Sequence, residues 1–105
     1  MNLLSSEKSG SVRLSRAEIE NFKVSVLSID PRANIYLFGS RADMAKRGGD
    51  IDLLIISQCI KKSDLTHIRW NFFEEFGEQK IDMVLDDGTG KTTFAKMIFP
   101  KAVKL

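Results

Sequence analysis

The stretch "DIDLLIIS" at residues 50–57 is the strongest constraint in the chain, because it opens an apolar run with two carboxylates, Asp50 and Asp52. Side chains of a strand alternate between faces, so Asp50 and Asp52 are expected to share one face, about 6.6 Å apart at the Cα atoms. Ile51, Leu53 and Ile55 then point the other way and anchor the strand in a core. Two like charges this close repel and raise the pKa of one of them. A divalent cation removes that conflict, and paired ions about 3.5–4 Å apart suit such a carboxylate pair. Mg²⁺ in particular takes oxygen ligands and shares itself between carboxylates and phosphates.

The run just before it supplies the complementary chemistry. In "IYLFGSRADMAKRGG" an apolar segment ends at Phe38 and gives way to Gly39-Ser40. Glycine permits close backbone approach, and the free N–H groups of a tight turn or helix start suit an anion. The Ser40 hydroxyl adds a donor, and Arg41, Lys46 and Arg47 add positive charge. Ligands for a cation and donors for a phosphate thus fall within one strand–turn–strand unit. The plainer alternative makes Asp50 and Asp52 a strand cap or a solvent-facing edge, and the three basic residues a solvated loop.

The rest of the chain reads as a small layered domain. Residues 1–12 are polar and aperiodic and are expected to form a flexible tail, with the domain over 13–105. Ser15 and Glu18 form a capping box, flanked by Leu14 and Ile19, and Ile19, Phe22 and Val26 recur at helical spacing. Asp30-Pro31 ends that helix, since the residue before proline is disfavoured in the helical region. "NIYLFGS" and "DIDLLIIS" read as strands. "SDLTHIRWNFFEEFG" reads as a helix capped by Ser63 and stopped by Gly77, with Leu65, Ile68, Phe72 and Phe76 as its buried stripe. "KIDMVL" is a third strand, "DDGTGK" a turn, and "TTFAKMIF" a helix interrupted by Pro100. This order gives an α/β or α+β layer in which helices cover a small sheet.

Composition narrows the class without choosing a function. The chain has 105 residues, 43% apolar, 29% charged and a net charge of +2, which fits one soluble globular domain. So small a charge does not indicate a nucleic-acid surface. The single cysteine, Cys59, has no partner for an internal disulfide, which fits a reducing cytoplasm. No run approaches the ~20 apolar residues of a membrane span, and the first residues lack the apolar centre of a signal peptide. "GTGKTT" at 88–93 lacks the earlier glycine of a phosphate-binding loop, with Leu85 in its place, and reads as a turn and helix start. His67 has no ligand partner at metal-binding spacing. Trp70, Phe72, Phe73 and Phe76 read as core, although Trp70-Asn71-Phe72-Phe73 covers more than one helix face and offers a partner surface.

"FGS", nine further residues and then "DIDL" resembles the signature of the DNA polymerase β-like nucleotidyltransferase superfamily. "GSRA" and "GGDIDLLI" are most similar to its minimal, stand-alone members in bacteria and archaea. The family carries a third acid on a later strand, and Asp82 in "KIDMVL" matches it. The resemblance implies the nucleotidyltransferase fold, an α+β domain with a small mixed sheet covered by helices. It implies transfer of a nucleoside monophosphate, AMP as the first expectation, from a nucleoside triphosphate such as ATP to an acceptor hydroxyl. Asp50, Asp52 and Asp82 would be catalytic and ligate two Mg²⁺ ions, and Gly39, Ser40 and Arg41 would hold the triphosphate. Minimal relatives are commonly paired with a helical HEPN-type protein in toxin–antitoxin modules. The alternative implied is a non-catalytic antitoxin that neutralises such a partner by contact.

Overall fold

The computed structural model describes residues 12–42, 49–90 and 93–105. Helix α1 spans Arg16–Ile29 and begins at a complete capping box. Ser15 Oγ accepts from the Glu18 amide at 3.0 Å, and Glu18 Oε1 accepts from the Ser15 amide at 2.8 Å. Two otherwise orphaned donors are satisfied reciprocally, as the sequence predicts. Asp30 then leaves helical geometry at φ −141°, and the helix stops.

Strand β1 covers Asn34–Phe38, and a single 3₁₀ turn, Gly39–Ala42, follows it. Strand β2 is Ile51–Ile56 and helix α2 is Lys62–Phe76. Strand β3 is Ile81–Asp86, helix α3 Thr93–Ile98, a second 3₁₀ turn Phe99–Lys101, and β4 the two residues Val103–Lys104. The sheet order is β3-β2-β1-β4. β1 is antiparallel to β2 and β4, whereas β2 and β3 are parallel. A parallel pair needs a crossover, and α2 supplies it. The result is the α+β layer expected, with a mixed sheet.

Helices α1 and α2 cover one sheet face, whereas α3 and the 3₁₀ turn after it lie beside Leu54 and Ile56 on the other. Ile35 and Leu37 of β1, Ile51, Leu53 and Ile55 of β2, and Ile81 of β3 are buried on the α1–α2 side with Phe22, Val26, Ile68 and Phe72. The Phe22 and Phe72 rings stack at 4.5 Å and 10°, joining α1 to α2. Truncating either ring to alanine is expected to cost about 3–5 kcal/mol, the scale for a buried phenylalanine. Val12, at the end of the segment expected to be a tail, is also buried in this cluster, as is Leu14; residues 1–11 lie outside the described residues.

One local expectation is corrected. The cap of α2 is Lys61 rather than Ser63. The Asp64 carboxylate accepts from the Lys61 amide at 2.8 Å, and this bond starts the helix two residues earlier. The C-terminal "AVKL" contains β4, which pairs Val103 with Leu37 and Lys104 with Tyr36. Among the described residues no helix is long and apolar enough to cross a membrane.

Candidate active site

The second sheet face carries the acids. The register sets Asp52 of β2 opposite Phe38 of β1 on one side and Asp82 of β3 on the other. Neighbouring strands run about 4.8 Å apart, so the two aspartates are lateral neighbours on one face. The core-facing partners behave as the alternation requires: Ile51, Leu53 and Ile55 are fully buried. Asp50 lies one residue before the strand begins, exposed, at the mouth of the same site.

Asp52 is half-buried, and its carboxyl is pushed above the usual carboxylate range. Desolvation is the largest cause, followed by the charges of Asp82 and then Asp50. A hydrogen bond with Asp82 works in the same direction, while the Lys80 ammonium pulls the other way. Asp82 itself is exposed. A negative charge on Asp52 is therefore disfavoured in the protein alone, and a cation would relieve it.

Gly39 explains how a turn lies against this carboxylate. Its φ is +76°, a region open to glycine and strained for other residues. A Cβ built there would collide with Asp52 Oδ2 and stand 3.1 Å from Asp52 Cγ. The bare backbone of the turn thus borders the acid directly. Ser40 follows in the same 3₁₀ turn. The Arg41 guanidinium donates to the carbonyls of Arg13 at 2.8 Å and Gly49 at 3.1 Å, and the Arg13 amide donates back to the Arg41 carbonyl at 2.8 Å. In this arrangement Arg41 braces the turn. Lys46 and Arg47 lie outside the described residues.

The donor set fits a hard divalent cation, since it consists of carboxylate oxygens crowded together, with the Asp52 carboxylate lying directly against the bare backbone of Gly39. Among the described residues no three acidic, histidine or cysteine side chains are already arranged as a cation cage. Asp50 is engaged elsewhere, with its Oδ2 3.7 Å from Lys80 Nζ. Sequence reasoning missed Lys80. It stands two residues before Asp82, immediately ahead of β3, as Asp50 stands immediately ahead of β2.

Other motifs resolve as structure. The Asp86 carboxylate accepts from the amides of Gly88 at 2.8 Å and Gly90 at 3.1 Å, so the phosphate-loop-like string folds around an internal acid. Lys91 and Thr92 of that string lie outside the described residues. His67 and Cys59 are exposed.

The fold thus brings together an acid pair in register, a third acid just before β2 and a glycine-serine turn against Asp52. The chain belongs to the nucleotidyltransferase domain family, whose model matches residues 19–104, from the first turn of α1 to the last residue of β4. No curated protein matches the sequence.

Proposed function

We infer that this domain moves a nucleoside monophosphate, with AMP as the first candidate, from a nucleoside triphosphate to an acceptor hydroxyl. The bond formed joins the acceptor oxygen to the α-phosphorus, and the bond broken releases pyrophosphate. The observation that carries this reading is the packing of Gly39 against Asp52, with Asp82 beside Asp52 in register. It supports the reading of that turn as the phosphate holder and of the two carboxylates beside it as cation ligands.

Asp50 and Asp52 hold the cation on the triphosphate side. Asp82, an exposed acid on a separate strand, faces the acceptor as metal ligand or base. Gly39 and Ser40 hold the triphosphate through backbone and hydroxyl donors, and Arg41 contributes its charge while bracing their turn. Two Mg²⁺ ions, when bound, neutralise the phosphates and acidify the attacking hydroxyl. The ready acceptor class in this reading is a partner protein of helical, HEPN type in a cytoplasmic toxin–antitoxin module.

A second reading is supported by Trp70, which is 54% exposed on α2. There the chain neutralises its partner by contact alone. Calorimetric titration of Mg-ATP, together with a labelled-nucleotide transfer assay in cell extract, separates the two. Metal-dependent nucleotide binding and a labelled product support transfer. Their joint absence, with partner binding retained, supports contact. Within the transfer reading, Asp82→Asn is expected to keep Mg-ATP binding nearly intact while the chemical step collapses, and Asp50→Asn to damage both. Equal loss of nucleotide binding in both variants would remove the separate acceptor-side role of Asp82.

A further inference from the structure

Lys80 stands where a cation is needed. Its carbonyl accepts from the Ile51 amide at 3.1 Å, which fixes its backbone beside the Asp50–Ile51 junction. Its ammonium then lies 3.7 Å from Asp50 Oδ2, with both side chains more than half exposed. Lys80 also opposes the charge of Asp82 and Asp50 on Asp52. The side chain is long and solvated, so it can leave without disturbing the core. Its departure frees Asp50 to turn toward Asp52 and Asp82.

We propose that Lys80 is a resident counter-ion of Asp50, which a divalent cation must displace before Asp50 can act as a ligand. This rests on the reading of Asp50 as a metal ligand. Metal uptake and release of the lysine form one exchange, so a bare cation meets a competitor. A cation carried by a polyphosphate does not meet the same penalty, because the released ammonium finds an anion beside it. The site thereby favours the metal–triphosphate complex over the metal alone. Lys80 is a positioning residue in this account, since it acts through Asp50.

The test is Mn²⁺ binding followed by electron paramagnetic resonance, without nucleotide and then with a non-hydrolysable triphosphate. It uses wild type, Lys80→Gln, Asp50→Asn and the double variant. An exposed pair contributes up to about 1 kcal/mol, so Lys80→Gln is expected to tighten Mn²⁺ alone by about 3- to 5-fold. With the triphosphate present the gain is expected to vanish or reverse. In the Asp50→Asn background the gain from Lys80→Gln is expected to shrink to the small residue left by the lysine's direct effect on Asp52, whereas a diffuse field effect would persist in full. The same gain with and without Asp50, or no gain in a wild-type background that binds Mn²⁺, overturns the counter-ion role alone. Mn²⁺ binding by none of the four proteins overturns the metal reading and this inference with it.

Discussion

The two ends of β2 treat carboxylates in opposite ways. At one end Asp52 faces like charges and is held above the usual range. Near the other end Asp30 is buried, yet it is held below that range. The cause there is chiefly the Ser57 hydroxyl, which donates to Asp30 Oδ2 at 2.6 Å, followed by the Arg32 amide, which donates to Oδ1 at 3.0 Å. Ser57 in turn accepts from the amides of Cys59 and Ile60 at 3.0 and 2.9 Å. Asp30 is the more deeply buried of the two yet carries the lower pKa, so burial alone does not mark a functional site. Donors supplied by the fold mark a structural carboxylate. Acids crowded together with few donors mark one whose partner arrives from outside.

The largest effect expected from this contrast is on chemistry. Asp52→Asn should lower transfer by at least about 10², the scale of one lost electrostatic contact in a transition state. Full activity of that variant in a Mg²⁺-dependent transfer assay would erase the distinction between the two ends. Gly39→Val comes next. It forces a branched side chain into a positive-φ position against Asp52, and nucleotide affinity should fall by at least about 10-fold, comparable to one charge-assisted hydrogen bond. Calorimetry decides this, with circular dichroism to show that the variant folds. Affinity unchanged in a folded protein would detach the turn from the site.

Ser57→Ala probes the other end. It is expected to cost about 1 kcal/mol through the stranded amides and to leave transfer intact. Asp30 has a depressed pKa, so its contribution is present above the unfolded-state value and is lost as pH falls through the folded-state value. Chemical denaturation at several pH values should therefore show a flatter acid limb in Ser57→Ala. The smallest effect carries the opposite sign. Asp52 has a raised pKa, so without metal it costs stability as pH rises above its unfolded-state value. Metal-free Asp52→Asn should melt slightly higher than wild type at neutral pH, and the difference should close below about pH 4, where the carboxyl is protonated in both states. A variant that melts lower at neutral pH would show that the Asp52 charge is satisfied within the protein.

Local chemistry made much of this legible before any coordinates. The Ser15–Glu18 box, the stop at Gly77 and the parity of Ile51, Leu53 and Ile55 all depend on residues close in sequence. The acids and the glycine-serine turn were legible because their spacing resembles a family signature. Long-range pairings were not. β4 is only two residues long and shows no alternation, so only its partner β1 defines it. The Lys80–Asp50 pair and the Asp30–Ser57 bond join residues about thirty apart. Of these four residues only Asp50 stands out in the sequence, and nothing local to it names Lys80 as its partner.

The Arg41 brace has a consequence for chain entropy. One side chain ties the carbonyls of residues 13 and 49, and so fastens the stretch before α1 to the approach to β2. Fixing both stretches costs the rotamer freedom of a single arginine, about 2 kcal/mol at most. Fraying at residue 13 is therefore felt at the turn that borders Asp52, although the two are far apart along the chain.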